Sequence, residues 1–597
     1  MIWRLFLLTL LVWSCRFPGN VNTVPDISAE DLESHIRILA DDRLEGRLAG
    51  SDQDILAAKY IEAQMVRFGL QMPESGYIQD FPFISGTKPG PDNQVRIITE
   101  KPFLLNEDQY AVMGFSSSGK ANATLVFTGY GISAPDDGYD DYANLKVDGK
   151  VVIILRYSPA GRYQDSHLDR FAPLRTKAKT AKELGAAGVI FVTGPQDSDP
   201  DDPLVSFEHL SGLNEIGIPV IHVHQQVIED ILAAEDLPNL DDLQDQIRGN
   251  DDFQPQSIIL TSSVEITTDL ETIWKTTHNI SGFLPGSGEL ADEWIVIGAH
   301  YDHLGWGGPG SPSMDKGTHA IHNGADDNAS GVAGMLELAE YFQNFPPSGD
   351  HRSIVFTAFG AEELGLLGSN HFINDPPLPL EQVKTMINMD MIGGLHENVL
   401  IVGGSGTSSW WEPLLQEVNE QHLDFSFDTE GYGASDHQPF YLQDIPVLFF
   451  FTGAHGRYHR PTDDVEYLNF TGLVQVTQLV QRTTEQILTR LEPPDFVKTE
   501  SAKPVHGRGY KLTIGVIPDF TYQGDGFRIS AVREMAPAGQ AGLQDGDIII
   551  RFNDIEVLNI HDYMFGLESV TEGESVPVVV QRGAKTLTFQ VIPSKRE

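Results

Sequence analysis

Five short stretches between Trp294 and Asp464 contain side chains that could bind metal ions. They are WIVIGAHYDH, NGADDNASG, SIVFTAFGAEELGLLGS, VKTMINMDMIG and IPVLFFFTGAHGRYHRPTDD. The polar residues that they present are His300, Asp302, His303, Asp326, Asp327, Glu362, Glu363, Asp390, His455, Tyr458, His459 and Asp463. Histidine nitrogens and carboxylate oxygens are ligands that zinc accepts. Two histidines and three carboxylates from this group would give too few ligands per metal to close two zinc sites completely, and open coordination positions indicate catalysis rather than a structural role.

The elements around these residues indicate where they lie in a fold. Short apolar runs alternate with helical patterns, which predicts βαβ units and a parallel sheet buried on both faces. In open sheets of this kind ligands bind beyond the carboxyl ends of the strands. We therefore predict an α/β fold in which the candidate ligands meet at one edge of the sheet.

Residue spacing suggests separate roles within the set. Alternate residues of an extended chain face the same way, so Asp302 is predicted to orient the His300 ring by a hydrogen bond. Glu362 and Glu363 are adjacent and are expected to face opposite ways at a strand end. One of the two could then bind a metal while the other remains free as a general base.

Together, GAHYDHLG, NGADDNASG, AEELGLLGS, NMDMIG and YHRPTDD resemble, in order, the motifs of the M28 zinc peptidases, which include aminopeptidases. The resemblance implies an αβα sandwich with a mostly parallel central sheet and two Zn²⁺ ions. It places His300 and Asp390 on one metal, Glu363 and His459 on the other, and Asp326 between them.

The same resemblance assigns the remaining roles. Glu362 is the implied general base, and Tyr458 resembles a tyrosine that steadies the oxyanion. A cis peptide bond is implied between Asp326 and Asp327. Asp436, in GASDHQPF, resembles a residue near the substrate pocket and is predicted to contact substrate or support the site.

One stretch departs from the family pattern. The glycine-rich insertion from Gly305 to His322 adds His319 and His322 close to the site. We expect these to be loop histidines rather than metal ligands.

The N-terminus has the form of a secretion signal. Arg4 precedes the apolar run from Leu5 to Trp13, which is too short to span a bilayer and is typical of a signal peptide. Cys15, the only cysteine of the chain, follows Val12-Trp13-Ser14 as in a lipoprotein cleavage box. Lipidation at Cys15 is the prediction, and the alternative is a secreted protein whose Cys15 leaves with the signal.

The 597 residues predict three or four domains. TLVFTGYGI and TAKELGAAGVIFVTG resemble a β-rich protease-associated (PA) domain, and MAPAGQAGLQDGD resembles a PDZ domain with its carboxylate-binding loop near Leu512 to Gly515. The alternative for this last domain is a structural appendage with a blocked groove. The predicted segments are a signal peptide (1–20), a first peptidase segment (28–113), the PA insertion (114–263), a second peptidase segment (264–492), a linker (493–509) and the PDZ domain (510–595).

Charge limits the partners that the protein can bind. A net charge of -45 argues against nucleic acid, which needs stripes of lysine and arginine. We expect peptide substrates, protein C-termini at the PDZ domain, and membrane attachment only through an N-terminal lipid. The predicted location is outside the cell or in the envelope, in the periplasm or on the outer surface.

The sequence therefore predicts a di-zinc aminopeptidase in which Glu362 is the base for a metal-activated water. The alternatives are a carboxypeptidase or glutaminyl cyclase of the same fold, and a peptide-binding protein without catalysis. The full set of five ligands counts against a cyclase, which uses one zinc ion.

Overall fold

The computed structural model describes residues 23–143, 145–162, 164, 166–207, 215–248, 253–308, 311–315 and 318–499, and residues 512–595 with gaps. The predicted signal peptide and Cys15 lie outside the described residues. Within the described stretches of the chain, no helix combines the length and the apolar character needed to cross a bilayer.

The chain divides into two compact units. One comprises Met1–Phe81 with Thr276–Thr499, and the other Pro82–Lys275 with Glu500–Glu597. The first break therefore comes earlier than the predicted boundary at residue 113. The reason is that three short strands between residues 94 and 112 pair within the sheet of the inserted domain.

The first unit is built on an eight-stranded sheet. Its strands are β1 (Ile78–Pro89), β2 (Leu270–Leu284), β3 (Trp294–His300), β4 (Ser353–Phe359), β5 (Val383–Met389), β6 (Val399–Gly403), β7 (Asp424–Phe427) and β8 (Val447–Phe451). They lie in the order β1-β2-β4-β3-β5-β8-β6-β7. The four central strands β4, β3, β5 and β8 are mutually parallel, while β2 and β6 pair antiparallel with β4 and β8.

Helices cover both faces of this sheet, as predicted. They are α1 (Ala29–Leu39), α2 (Asp52–Phe68), α3 (Gly331–Asn344), α4 (Leu367–Asn374), α5 (Trp411–Val418), α6 (His437–Tyr441) and α7 (Phe470–Thr489). Ile295 and Ile297 of β3 pack into the large core that includes α1, α2, α3 and α7. On the opposite face, Phe372 of α4 and Phe440 of α6 pack against Phe359 of β4, with ring centroids 5.9 and 6.1 Å away.

Local signals set the ends of the first two helices. The Ser28 hydroxyl accepts from the Asp31 N–H at the start of α1, and Ser51 does the same for Asp54 at the start of α2. Helix α2 ends at Gly69, whose φ of +83° is a left-handed conformation that glycine adopts without strain.

The inserted domain of the second unit has its own sheet and core. Its strands, in spatial order, are Phe103–Leu104, Gln94–Ile98, Ile258–Thr268, Gly119–Phe127, Val151–Leu155, Gly188–Val192, Val220–Val223 and Tyr110–Val112. Its helices are Leu174–Glu183, Gln225–Ala234 and Leu240–Arg248. Val151–Leu155 is buried throughout because its alternate residues enter hydrophobic clusters on opposite faces.

The C-terminal segment of this unit is mainly β. Its described strands are Leu512–Thr513, Val516–Pro518, Phe527–Val532, Ile548–Phe552, Ile555–Glu556, Val576–Arg582, Lys585–Val591 and Ser594–Lys595, and a helix lies at Pro537–Ala541.

Candidate metal centre

The first candidate metal position lies where β3 and β5 end. These strands are parallel neighbours, so His300 at the end of β3 and Asp390 directly after β5 come together. His300 Nε2 is 3.3 Å from Asp390 Oδ1 and 3.3 Å from Asp327 Oδ1. All three side chains are buried, and their donor atoms converge closely enough to hold one metal ion.

The second position lies beside the first. His459 Nε2 is 3.0 Å from Glu363 Oε2 and 3.4 Å from Asp327 Oδ2. His303 also reaches this cluster, with its Nδ1 2.7 Å from Glu363 Oε1. His303, Asp327 and Glu363 form a second group whose donor atoms could hold a metal ion.

Asp327 occupies the bridging position, and the prediction of Asp326 as the bridging residue is wrong. Asp327 turns one carboxylate oxygen toward each cluster. Asp326 points elsewhere, since its Oδ1 accepts from Gly393 N at 2.7 Å and its Oδ2 lies 3.0 Å from His455 Nε2. The cis peptide bond is likewise displaced by one residue from its expected place and joins Asp327 to Asn328.

A third carboxylate fixes this turn. Asp463 accepts hydrogen bonds from the backbone N–H groups of Asp326 and Asp327, at 3.1 and 3.0 Å. From this turn the Asp327 carboxylate faces both clusters, whereas the Asp326 carboxylate faces Gly393 N and His455. The turn leads directly into α3 and does not follow a strand, unlike the segments that carry His300, Glu362–Glu363 and Asp390.

Asp302 holds the segment of the two adjacent glutamates. Its carboxylate accepts from the Glu362 N–H at 3.0 Å and from the Glu363 N–H at 3.4 Å. The hydrogen bond to His300 was predicted for the Asp302 side chain, but the backbone oxygen of Asp302 is the nearer partner. It lies 3.2 Å from His300 Nδ1, whereas Asp302 Oδ1 lies 3.7 Å away.

The electrostatics of the centre are dominated by buried acids. Burial raises the pKa of the Glu362 carboxyl well above its usual range, and the carboxylates of Glu363 and Asp390 add to the rise although His300 opposes it. Burial lowers the pKa of His459, but its hydrogen bonds to Asp327 and Glu363 outweigh burial and bring the pKa to about 10. Buried carboxylates are costly unless cations or hydrogen bonds compensate them, so this donor set fits bound cations.

Tyr458 and Asp436 both lie near these charges. Burial raises the pKa of Tyr458, and the nearby carboxylates of Asp327 and Glu363 add to this rise. The Tyr458 ring stacks on the His459 ring, with the ring centroids 3.9 Å apart. Asp436 precedes α6 and is fully buried, and burial raises its pKa to about 7. Two roles were predicted for Asp436, contact with the substrate or support of the site. Because its carboxylate is fully buried, Asp436 fits the second role better.

No role was predicted for Arg47, yet this residue joins the loops that carry the candidate metal ligands. The buried guanidinium donates to the backbone oxygens of Leu39, Tyr301, Asn323 and Gly324. Tyr301 follows His300, and the Asn323–Gly324 pair precedes the Asp327 turn. An arginine between glycines in DDRLEGRLAGS is the only sequence signal of this role.

The glycine-rich insertion supports His459 from outside the clusters. Met314 N donates to His459 O at 2.9 Å, and Ser313 Oγ lies 2.8 Å from His322 Nε2. His319 stacks on Trp306, with ring centroids 5.4 Å apart. Both insertion histidines therefore have partners within the loop, consistent with the prediction for them.

Comparison with known proteins defines the class. Residues 279–484 match the model of peptidase family M28, residues 121–231 that of the PA domain, and residues 528–582 that of the PDZ domain. Along the chain, the match to the PA domain therefore precedes the match to the M28 peptidase family, and the match to the PDZ domain follows it, in the order in which the motifs were recognised.

Individual relatives are more distant. The aminopeptidase YwaD of Bacillus subtilis is 28% identical over 340 residues, which cover 54% of this chain and 62% of the relative. An aminopeptidase of Pseudomonas aeruginosa is 24% identical over 403 residues, which cover 64% of each chain. A solved structure described as a zinc aminopeptidase from Bacillus subtilis aligns with 78% of this chain and 97% of its own, at 21% identity and a TM-score of 0.44. The chain thus spans less than two thirds of these two sequence relatives.

Proposed function

We propose that this chain is a zinc-dependent aminopeptidase with two metal ions. The observation that carries the proposal is the Asp327 carboxylate, which offers one oxygen to each of two buried clusters. The M28 match and the names of the relatives support both the reaction class and the metal.

The donors suit zinc at both positions. One position has His300 and Asp390, the other Glu363 and His459, and Asp327 is common to both. An imidazole with two carboxylates at each position is the nitrogen and oxygen set of catalytic zinc sites, with room left for water or substrate. Bound zinc would polarise the scissile carbonyl and make a water more acidic.

The protein's own groups move the protons. Glu362 accepts a proton from the attacking water and delivers it to the leaving amine. The phenol of Tyr458 donates a hydrogen bond to the carbonyl oxygen as negative charge develops there. Asp302 keeps the Glu362–Glu363 backbone in place.

Glu362→Gln and Glu363→Gln together test these roles, because each variant is the control for the other. Glu362→Gln is expected to keep both zinc ions and to lower kcat by about 10²–10⁴-fold, since it removes only the base. Glu363→Gln is expected to weaken one zinc ion, with partial recovery in excess Zn²⁺. Zinc content by mass spectrometry and kcat are measured side by side. Loss of a metal from Glu362→Gln, or full activity and two zinc ions in Glu363→Gln, would refute the assignment.

The place of the protein in the cell is a separate element of the proposal. We propose export by residues 1–20 and lipid attachment at Cys15, supported by the apolar run that precedes this cysteine. Stable anchoring requires more than one acyl chain, as in a bacterial lipoprotein. Membrane fractionation of Cys15→Ser in a bacterial host is the test, and unchanged membrane association would contradict lipidation.

The C-terminal domain is proposed to bind the free C-termini of proteins. The family match and the glycine-containing segment Leu512–Gly515, which follows the pattern of a carboxylate-binding loop, support this role. Binding of peptides with a free or an amidated C-terminus, compared by fluorescence anisotropy, tests it. Equal affinity for the two forms would argue against carboxylate recognition.

A further inference from the structure

His303 is a buried histidine beside the second metal position, and the family motif gives it no role. Its Nδ1 lies 2.7 Å from Glu363 Oε1, whereas the other oxygen of the same carboxylate lies 3.0 Å from His459 Nε2. Glu363 therefore stands between two imidazoles, one at each oxygen. The function of His303 depends on whether it binds the metal or the carboxylate.

Ligand spacing separates the two cases. Two donors on one tetrahedral zinc ion, each about 2.0–2.1 Å from the metal, lie about 3.3 Å apart. His459 Nε2 fits this spacing, at 3.0 Å from Glu363 and 3.4 Å from Asp327. His303 Nδ1 does not fit, at 2.7 Å from Glu363 and 3.9 Å from Asp327. A separation of 2.7 Å is instead that of a hydrogen bond to a carboxylate.

We propose that His303 is a positioning residue for Glu363, an inference that rests on the proposed zinc-dependent function. The Nδ1–H of the ring donates to Glu363 Oε1, which leaves Oε2 facing the metal position and His459. This bond fixes the rotation of the Glu363 carboxylate before a metal arrives. Such supporting hydrogen bonds commonly change metal affinity by about 10–100-fold.

The surroundings of the ring favour one orientation. Gly324 has a φ of +58°, and a Cβ atom there would come within 2.7 Å of His303 Cγ and Cδ2, so the glycine leaves space for the ring. The backbone N–H of His303 donates to Arg47 O at 3.3 Å. His303 Nε2 has no hydrogen-bond partner among the described residues, so the described contacts supply no competing bond that would turn the ring away from Glu363.

Two substitutions distinguish a donor from a ligand. His303→Leu removes the nitrogen altogether. His303→Asn places an amide N–H near the position of Nδ1, so it can donate to Glu363 but offers no imidazole lone pair. His35→Leu is the matched control, because His35 is equally buried and lies 3.4 Å from another glutamate, Glu337, outside the metal centre.

Zinc affinity by chelator competition, zinc content and the unfolding temperature of the metal-free protein are measured for each variant. His303→Leu is expected to bind one of two zinc ions about 10–100-fold more weakly, while His303→Asn stays within a few-fold of the parent. His35→Leu is expected to lower the unfolding temperature without changing zinc affinity.

Each other outcome overturns the inference in a recognisable way. Unchanged zinc affinity in His303→Leu would show that the ring does not position Glu363. An equal loss in both His303 variants would make the ring a ligand rather than a donor. If the parent protein binds no zinc, the proposed function falls and the role of His303 falls with it. Should His303→Leu not fold, zinc loss or retention in His303→Asn decides the question.

Discussion

Asp326 and Asp327 are chemically identical neighbours with different surroundings. Asp327 faces the His300 and His459 imidazoles, and these histidines together with His303 hold its pKa well below the usual range in spite of burial. The Asp326 carboxylate accepts a hydrogen bond from Gly393 N and contacts His455 Nε2, and it lies outside both clusters. Position relative to the turn, rather than residue type, therefore determines which carboxylate can serve two metal ions.

The paired substitutions Asp327→Asn and Asp326→Asn test this assignment. Asp327→Asn is expected to weaken the binding of both zinc ions, because an amide cannot supply two anionic oxygens to two metals. Asp326→Asn is expected to keep near-stoichiometric zinc, because its carboxylate holds only the loop. Zinc content after dialysis and kcat are the measurements. Two zinc ions retained in Asp327→Asn would restore Asp326 as the candidate bridge.

At the scale of elements, α1 and α3 meet through a buried acidic contact. Glu337 of α3 accepts from Ser28 N at 3.5 Å and lies 3.4 Å from His35 Nε2 of α1. Burial raises the pKa of Glu337 to about 9, and Asp31 and Glu340 add to the rise while Arg67 opposes it. This junction packs the N-terminal helix against the helix that follows the Asp327 turn.

We expect Glu337→Gln to stabilise the protein at neutral and alkaline pH. The pKa of Glu337 in the folded state, about 9, lies above its ordinary value of 4.5, so the folded state binds the proton more tightly. The resulting stability is complete below about pH 4.5 and is lost as pH rises through about 9. Glutamine keeps the shape without the charge, so the unfolding temperature should rise at pH 8 by about 2 °C or more.

Glu340→Gln is the control for this prediction. Glu340 lies on the same helix but pairs with Arg67 at 3.3 Å, so its substitution is expected to bring no gain in stability. Unfolding temperatures are compared at pH 4.5, 6, 7 and 8 in metal-free buffer. A Glu337→Gln effect that does not increase with pH would contradict the assigned pKa.

At the scale of the whole molecule, the peptidase unit extends beyond its last helix. Val497 N donates to Thr407 O at 2.8 Å, and Asp495 accepts from Ser408 Oγ at 2.7 Å. The first part of the predicted linker 493–509 therefore lies against the peptidase surface. We call this part, residues 493–499, the strap. The unit ends near Thr499, after the strap.

Truncation at two positions tests the strap. A chain ending at Thr499 is expected to turn over a small chromogenic aminoacyl substrate within a few-fold of the parent, because every residue of the metal centre lies before it. A chain ending at Leu491 lacks the strap and is expected to unfold at a lower temperature. If the Thr499 chain is folded but inactive, the C-terminal domain shapes the site. Equal unfolding temperatures of the two chains would leave the strap without a role in stability.

Local features of the fold follow from short contiguous stretches of sequence. Ser28 and Gly69 mark the ends of helices through bonds made within a few residues, and apolar runs such as that before His300 define buried strands. Parallel strands align their carboxyl ends, so the meeting of His300, Glu363 and Asp390 also followed from the pattern. The M28, PA and PDZ assignments rested on motifs of this contiguous kind.

Which of several chemically equivalent groups faces the metal centre depends on contacts between distant segments of the chain. The turn that carries Asp326 and Asp327 is held by Asp463, 136 or 137 residues away, and Arg47 joins segments more than 250 residues apart. His303 meets Glu363 across 60 residues. Adjacent or like residues have the same local propensity, so their orientation is set by backbone hydrogen bonds from distant segments, which no local pattern contains.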